Sequence, residues 1–569
     1  MISQIKESRL ASMLAWGSLL VTVVITDRIS SEPANLGKLT VLAGLGFGVL
    51  PILVPVIKSG FTEARWLFSA FVVFLSAALV SILLSSNPFE RGFYGAFGRN
   101  TGFLSYFLLA VVFLAAFNLR SSQSFKKLRD SLFATGLINL SVCLLAVTGN
   151  DIFTWSNPSN AIMGTFGNSN FIGAFLGFFS GILFVNLVEK FRQLKSTLFT
   201  AGLLLVNLFV IMQTKALQGL VVFLIMGALT CYFFLRSKPE LFRFSQAFLC
   251  LSSLGVLVGF LGVLNKGPLS SLLYKPSVTF RGEYWMAGIN MGLEKIFTGL
   301  GMDSYGAYYR TFRNESAVKF PGVDVTTDAA HNVVIDIFSG TGIFGVLSYL
   351  FIVMFVLKSA IVYIRLSKTF DPKFLTLFLP WLGYQIQSIV SINQLGLAIW
   401  GWLLGGAVIA YTKSNVGSRQ ASLDDDRRVF PKAKSKSQIK SSSMLPASTA
   451  LTIYVSVIAG VLIALPPFVA DARMRTILNG NSDSATLISH VKSFPLDINR
   501  LNRGVVVLAN SGLNVLAAEL AIYGTTRFPN DYSSWYSLYE LSGPGTPDAE
   551  PYRKKLHEID PFNPKYFEK

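Results

Sequence analysis

Residues 102–118 read GFLSYFLLAVVFLAAFN and contain no charged side chain. A bilayer core about 30 Å thick needs roughly 17–25 apolar residues at about 1.5 Å of rise per residue, so this run predicts one membrane-spanning helix. Similar runs together predict an all-α, polytopic helical bundle of about 13 transmembrane helices. They lie at residues 10–26, 39–57, 66–85, 131–147, 171–187, 196–212, 217–235, 246–265, 332–357, 374–392, 395–412 and 448–468.

The composition of the whole chain indicates the same class. Of its 569 residues, 52% are hydrophobic and only 14% are charged, whereas a soluble domain carries about 25% charged residues. The mean hydropathy is +0.52, and the three cysteines all lie in apolar runs. These values exclude a disordered chain, a collagen-like chain and a disulfide-stapled secreted domain.

The basic residues predict the orientation of the bundle. Lysine and arginine concentrate in alternate connections and in residues 413–447, and such a bias marks the cytoplasmic side of a membrane protein. We therefore expect the N-terminus inside, the C-terminus outside, and 413–447 to be a flexible, basic cytoplasmic linker, with contact to membrane lipids and a solvated, disordered segment as the two alternatives. The net charge of +18 follows from this bias, so no nucleic-acid partner is predicted.

Two segments are predicted to lie outside the membrane on the exported side. The first is the loop 266–331, in which residues 283–296 have the apolar periodicity of a helix. Trp285, Ile289 and Leu293 fall on one stripe of this helix. We expect that stripe to lie at the membrane interface and to cover the outer ends of the spans.

The second exported segment, residues 469–569, follows the additional span at 448–468. Its apolar residues recur at helical spacing and are separated by turn signals such as Phe528-Pro529-Asn530. Antiparallel helical hairpins of this kind are similar to tetratricopeptide-type repeats, so a protein partner is a further expectation. Helices are predicted at residues 485–493, 498–510, 513–526, 531–541 and near 547–558.

The sharpest candidate for chemistry is His331, at the junction of the exported loop with the next span. An imidazole near its ordinary pKa accepts a proton from an attacking hydroxyl at neutral pH. Asn332 follows it directly, and Asp336 lies a little over one helical turn deeper. Both are candidates to orient the base or to brace the helix end. A purely capping role is the alternative for His331.

Basic residues on the exported side are candidates to bind an anion. Arg281 begins the helix of the loop, and a guanidinium forks onto two phosphate oxygens while it stays charged at low dielectric. Tyr284 follows on the same helix as a candidate for substrate contact. Arg99 follows a glycine-rich turn, and Lys215 lies in a short outer turn. For these last two, anchoring a helix end is the alternative.

A further outer segment, residues 164–171, reads GTFGNSNF. Its glycines and the amides of Asn168 and Asn170 predict a hydrogen-bonding turn before the next span, with an N-cap at Asn170 as the alternative. The sequence has no Walker loop, no dinucleotide fingerprint and no Cys/His metal cluster, so no cofactor or metal ion is predicted. Asp336 is the only acidic residue in a predicted span, which is untypical of a proton-driven transporter.

Four of these stretches together resemble the O-antigen ligase/O-antigen polymerase superfamily. They are residues 281–285 (RGEYW), 299–301 (GLG), 330–332 (AHN) with the Gly-x-x-Gly that follows, and 164–170 (GTFGNSN). The resemblance extends over roughly residues 1–412. It implies a GT-C-type transmembrane glycosyltransferase domain in a bacterial inner membrane, with its active site in the periplasm.

The resemblance also implies an activity. The family transfers or polymerises a glycan from an undecaprenyl-diphosphate carrier to an acceptor hydroxyl, by metal-independent inversion, during cell-surface polysaccharide assembly. Carried onto this chain, His331 is the catalytic base and Arg281 binds the diphosphate, with Arg99 or Lys215 assisting. The family commonly has an arginine in an outer turn where this chain has Lys215, a point charge rather than a fork.

Several functions share these residues. A ligase, a polysaccharide polymerase and a protein O-oligosaccharyltransferase differ only in the acceptor, which is a glycan, a lipid or a protein. A flippase for lipid-linked glycans would use the same basic residues to move its cargo without chemistry. A purely structural membrane scaffold is the last alternative.

Overall fold

A computed structural model describes residues 4–154, 160–274, 276–425, 446–480 and 483–567. In these ranges every regular element is a helix. The first eleven are α1 (Gln4–Val23), α2 (Leu36–Leu53), α3 (Ile57–Glu63), α4 (Arg65–Leu83), α5 (Phe89–Tyr94), α6 (Phe103–Phe117), α7 (Ser122–Val147), α8 (Ser169–Glu189), α9 (Leu194–Gln213), α10 (Leu217–Arg236) and α11 (Phe242–Val263).

The second half of the chain contains residues 266–331, which we call the loop, then four long helices and the tail, a name used here for residues 469–569. The loop holds α12 (Ser270–Leu273), α13 (Pro276–Glu294), α14 (Tyr305–Phe312) and α15 (Glu315–Ala317). Then come α16 (Val333–Leu366), α17 (Pro372–Ser388), α18 (Leu395–Asp425) and α19 (Ala447–Asn479). The tail adds α20 (Ser484–Val491), α21 (Ile498–Asn510), α22 (Asn514–Arg527), α23 (Tyr532–Leu541) and α24 (Glu550–Ile559).

Ten helices of the described chain are long and apolar enough to cross a membrane, by length and composition. They are α2, α4, α7, α8, α9, α10, α11, α16, α18 and α19. The remaining predicted spans fall on the shorter apolar helix α6 and on α1 and α17. The helices therefore support a helical, multi-pass membrane protein, while the number of spans and their orientation stay predictions.

Helix α18 is the centre of the bundle. Its apolar window is entirely buried, and it packs against α6, α16 and α17. Close packing on α6 needs a glycine, because a Cβ at Gly406 would lie 2.2 Å from the carbonyl oxygen of Phe113. The helix continues to Asp425. It therefore extends into the segment predicted as a flexible linker, of which residues 426–445 lie outside the described ranges.

The loop is attached to α16 at a break in that helix. At Gly342 the backbone has φ +69° and is not helical, and a Cβ there would lie 2.6 Å from the carbonyl carbon of Phe297. The amide of Leu300 donates to the carbonyl oxygen of Ser339 at 2.9 Å, so the loop runs alongside the break. The part of α16 before Gly342 is thereby fixed against the loop, and it supports His331 and Asn332, which precede the helix.

The predicted helix is confirmed as α13, and the residues of its apolar stripe and those beside it lie away from the bundle; their place at the membrane interface stays a prediction. Met286, Leu293 and Ile296 are exposed, and Trp285 and Ile289 are only half-buried. The buried face instead carries Tyr284, Ala287, Gly288 and Met291. A Cβ at Gly288 would lie 2.5 Å from Ile335 Cγ2, so small residues, rather than the bulky stripe, allow α13 to approach α16.

The tail is a series of helices as predicted, with bounds within a few residues of the expected ones. Neighbouring pairs, α21 with α22 and α22 with α23, pack against each other around one apolar cluster. Helix α19 leads into the tail without interruption, and Asp471 on it accepts hydrogen bonds from the amides of Ser31 and Glu32 at 2.6 and 3.0 Å. The tail thus rests on the bundle beside the connection between α1 and α2.

Candidate functional site

His331 lies in a tight turn immediately before α16. Its backbone is left-handed, with φ +53°, a conformation that is uncommon for a residue with a Cβ. Asn332 caps α16, because its Oδ1 accepts from the amides of Val334 and Ile335 at 3.0 and 3.3 Å. The cap and the turn together fix where the half-buried imidazole projects.

The carboxylate of Asp336, in the first turn of α16, stabilises the tight turn that holds His331. Its Oδ1 accepts from the amide of Ala330, the residue before His331, at 2.8 Å. Of the two roles expected for Asp336, this contact confirms the bracing of the helix end. The carboxylate therefore holds the backbone beside the imidazole.

Three tyrosines pack together next to this turn, and Tyr284 lies beside the imidazole. We call the three the aromatic wall: Tyr284, Tyr305 and Tyr309. The rings of Tyr284 and His331 are 5.8 Å apart between centroids and 32° from parallel. The Tyr305 hydroxyl donates to the carbonyl oxygen of Tyr284 at 2.6 Å, and the Tyr309 ring meets the Tyr284 ring edge-on at 5.7 Å. All three are buried, so the wall is a rigid surface.

Arg281 lies one helical turn before Tyr284 and close enough to act on the imidazole. Within the described part of the chain, the guanidinium of Arg281 makes neither an ion pair nor a hydrogen bond. Burial lowers the pKa of this guanidinium below its usual value. A half-buried cation without a carboxylate beside it is a site ready for an anionic ligand.

The environment of His331 strongly favours the neutral form of its imidazole. Burial, together with the nearby positive charges of Arg281 and Arg99, lowers the pKa of His331 to about 4, although Asp328 opposes the shift. At neutral pH the ring therefore carries no charge. The neutral ring can accept a proton, but it does not attract an anion because it has no positive charge.

Arg99 forms, with Asp303 and Asp336, a group that we call the Arg99 cluster. Arg99 Nε lies 3.2 Å from Asp303 Oδ1, and Nη2 lies 3.7 Å from Asp336 Oδ2. Arg99 Nη1 also donates to the carbonyl oxygen of Asp328 at 2.5 Å. Although burial alone would lower it, these acidic groups raise the pKa of Arg99 above its usual range.

The Arg99 cluster changes the role of Arg99 from the expected one. The guanidinium of Arg99 is buried and contacts two carboxylates and a carbonyl group, whereas the guanidinium of Arg281 has no such partners. Asp303 also accepts from the amides of Ala96 and Thr101 at 2.8 and 3.2 Å. Arg99 therefore ties the turn before α6 to the loop and to α16, which is the helix-anchoring alternative of the sequence analysis.

The other three candidate residues belong to a second group of helix ends. Asn168, rather than Asn170, is the N-cap of α8, and its Oδ1 accepts from the amide of Asn170 at 2.8 Å. The carbonyl oxygen of Asn170 accepts from Gln218 Nε2 at 2.6 Å, which joins α8 to α10. Lys215 is exposed in the turn between α9 and α10, with φ +57°. Their contact with a substrate stays a prediction.

Sequence reasoning missed Asp303, Asp328, Tyr305 and Tyr309. Two of them had an indirect signal in the sequence. Asp303 and Tyr305 follow residues 299–301 (GLG), a segment already singled out as part of the resemblance. The described residues contain no group of three or more His, Cys, Asp or Glu side chains that could hold a metal ion. No protein-family model matches the chain, and no curated protein matches it either.

Proposed function

We propose that this protein is a membrane glycosyltransferase of the O-antigen ligase/polymerase type. It transfers or polymerises a glycan from an undecaprenyl-diphosphate carrier to an acceptor hydroxyl, on the outer face of a bacterial cytoplasmic membrane. The observation that carries the proposal is the position of the His331 imidazole against the ring of Tyr284, one helical turn after Arg281, whose guanidinium has no carboxylate partner in the described chain. The imidazole takes a proton while the guanidinium receives negative charge.

The proposed reaction is a single inverting displacement. The acceptor oxygen forms a bond to the anomeric carbon as the bond from that carbon to the diphosphate oxygen breaks. The acceptor proton passes to the free nitrogen of His331, and the bonding electron pair leaves with the diphosphate, whose charge Arg281 stabilises. Losing one such electrostatic donor costs on the order of 100- to 1000-fold in rate.

Binding of the donor would also strengthen the base. In the free protein the charge of Arg281 helps to lower the pKa of His331. A diphosphate against Arg281 offsets that charge and adds negative charge near the ring, so the pKa of His331 rises towards the working pH. The best general base has a pKa near the working pH, and the full basicity of His331 therefore develops only when the donor is bound.

Release of undecaprenyl diphosphate tests the proposal directly. Purified full-length protein in lipid nanodiscs, given a lipid-linked glycan and an acceptor, should release this product, and EDTA should leave the rate unchanged. His331→Ala should abolish the release while expression and folding stay intact. The matched control is His557→Ala, because His557 is exposed in the tail. A wild-type rate in His331→Ala would remove the imidazole from the mechanism.

The products distinguish the remaining functions. A polymerase joins two lipid-linked glycans and lengthens the chain, whereas a ligase or a protein O-oligosaccharyltransferase moves the glycan to a different molecule. A flippase moves the lipid-linked glycan across the membrane without cleaving the sugar–phosphate bond. Transport of intact donor with no released undecaprenyl diphosphate would overturn the glycosyltransferase.

A further inference from the structure

Asp328 has an exposed side chain and lies three residues before His331. In the part of the chain that the structure describes, its carboxylate makes neither a hydrogen bond nor an ion pair. Three residues span at most about 10 Å even when fully extended, so the two side chains start within that distance of each other. The negative charge of Asp328 also acts on the imidazole, because it raises the pKa of His331 against the effect of Arg281.

The backbone of Asp328 is held on both sides. Arg99 Nη1 donates to its carbonyl oxygen at 2.5 Å. The hydroxyl of Thr327 donates to the carbonyl oxygen of Ala329 at 2.8 Å, which closes the turn around Asp328. Helix α14 packs against the same turn so closely that a Cβ at Gly306 would lie 3.1 Å from the Cα of Asp328. These contacts fix the point from which the carboxylate projects.

The two carboxylates of the Arg99 cluster have structural roles instead. Asp303 and Asp336 pair with Arg99, and each also accepts a hydrogen bond from a backbone amide. Exposed carboxylates are common on protein surfaces, but Asp328 combines a fixed backbone with a place close to the candidate base. A ligand can therefore bind its carboxylate without displacing a protein partner.

A carboxylate in this place suits the hydroxyl groups of a sugar. Each of its oxygens accepts hydrogen bonds, and a bond from a hydroxyl group to an ionised oxygen is about twice as strong as a neutral one. An acceptor sugar that presents one hydroxyl to His331 brings its other hydroxyls close to Asp328. The same negative charge repels a carboxylate or phosphate on the acceptor. Arg281 offers the opposite charge, which suits the diphosphate of the donor.

We propose that Asp328 binds hydroxyl groups of the acceptor sugar and selects an uncharged acceptor over an acidic one. The word acceptor rests on the proposed function, whereas the binding of a neutral sugar beside His331 does not. Asp328 takes no proton from the acceptor and leaves the diphosphate to Arg281. It therefore determines specificity and not the rate of the chemical step.

Two glycosides that differ in one group test this assignment. Methyl β-glucoside has a hydroxymethyl group where methyl β-glucuronide has a carboxylate. Their binding to the full-length protein in phosphatidylcholine nanodiscs is followed through the carbon-labelled imidazole signal that is lost in His331→Ala. The ratio of the glucoside affinity to the glucuronide affinity should fall about tenfold in Asp328→Asn, the worth of one charged hydrogen bond.

The comparison has an internal and a matched control. Any attraction of the glucuronide to Arg281 is present in both proteins, so it cancels from the change in the ratio. Asp324→Asn is the matched control, because Asp324 is an exposed aspartate of the same loop, and it should keep the wild-type ratio. The expected change is thus specific to the carboxylate of Asp328.

The outcomes separate this proposal from the proposed function. An unchanged ratio in Asp328→Asn, or no response of the His331 signal to either glycoside, would overturn the sugar site. The expected ratios without release of undecaprenyl diphosphate would support the sugar site while refuting the enzyme. With transfer present, Asp328→Asn should raise the KM for a neutral acceptor and leave the KM for the donor unchanged. A rise in the donor KM alone would place Asp328 in donor binding and overturn the assignment.

Discussion

Asp560 and Arg313 form an ion pair in which neither side chain has any solvent exposure, with 2.7 Å between Asp560 Oδ1 and Arg313 Nη2. Arg310 approaches the other carboxylate oxygen at 2.8 Å, and its guanidinium lies over the ring of Tyr532 at 4.0 Å. Asp560 belongs to the tail, and the two arginines belong to the loop. The aromatic wall is also built on α14, the helix that precedes Arg313, so the tail is joined to the candidate site through that helix.

Removing the charge of Asp560 should release the tail from the loop. Asp560→Asn leaves the buried Arg313 and the partly buried Arg310 without their carboxylate, and breaking a buried pair such as Arg313–Asp560 costs about 3–5 kcal/mol. We expect faster amide hydrogen exchange in α14 and α24, measured by mass spectrometry on the full-length protein. Glu558→Gln is the matched control, because its exposed pair with Lys555 contributes little. Unchanged exchange in Asp560→Asn would show that the tail is held by other contacts.

Two variants of Arg281 should separate the effect of its positive charge from the effect of its forked, two-donor shape. Arg281→Gln removes the cation that receives the leaving diphosphate, so kcat should fall on the order of 100- to 1000-fold. Arg281→Lys keeps a charge but loses the fork, and we expect an intermediate rate. Both are measured as release of undecaprenyl diphosphate, against Arg28→Gln, an exposed arginine, as control. A rate in Arg281→Gln equal to that of the control would refute the diphosphate role.

The pH dependence follows from the environment of His331. Its pKa is lowered to about 4 in the free protein, and a base acts in its deprotonated form, so kcat/KM should stay level as the pH falls from 7 and drop only as the pH nears that value. Arg281→Gln removes a cation that lowers the pKa, so the pKa should rise and the drop should move to higher pH.

Histidine titration measures this shift without an activity assay. The chain has only three histidines, so carbon-labelled imidazole signals can be assigned by single substitution. The signal lost in His331→Ala should titrate near pH 4 in the wild type and at a higher pH in Arg281→Gln. A wild-type titration of that signal at the ordinary histidine pKa of about 6.5 would contradict the buried, cation-facing environment.

Asp336 should act as a positioning residue. Asp336→Ala loses the acceptor that holds the amide of Ala330 and also one partner of Arg99, so the imidazole loses its fixed location. We expect kcat to fall while the KM for the donor stays constant, since Arg281 is untouched. Asp336→Asn keeps an oxygen acceptor for the amide and should restore part of the rate. A rise in donor KM with constant kcat would instead place Asp336 in donor binding.

The break in α16 should depend on the absence of a side chain at Gly342. Gly342→Ala places a methyl group 2.6 Å from the carbonyl carbon of Phe297 and forces alanine to adopt φ +69°. This combination of φ +69° and ψ −166° is adopted almost only by glycine, and it alone costs another residue about 1–3 kcal/mol. We expect a lower Tm in detergent, with the loop released first. Gly202→Ala in α9 is the control, because a Cβ there meets nothing within 4 Å and alanine favours a helix. Equal Tm values would show that the loop adapts.

The helices could be predicted because their signals are local. An apolar run long enough to cross a bilayer must satisfy its backbone internally, so residues 102–118 and 395–412 had one solution, a helix. The tail helices were predictable from turn signals such as Phe528-Pro529-Asn530. Asn332 was singled out next to His331, and its side chain caps α16 through contacts within three residues.

The contacts between distant segments were decided only by the tertiary structure. Sequence reasoning gave Arg99 an assisting role beside Arg281, with helix anchoring as the alternative, and could not choose between the two. Asp303 and Asp336 lie against Arg99 because the turn before α6 docks on the loop. Sequence reasoning also identified the apolar stripe of α13 but not the face that packs on α16, where Ala287 and Gly288 permit the close helix contact. Composition and periodicity describe one segment at a time, and the partner of a buried charge depends on which segments the fold brings together.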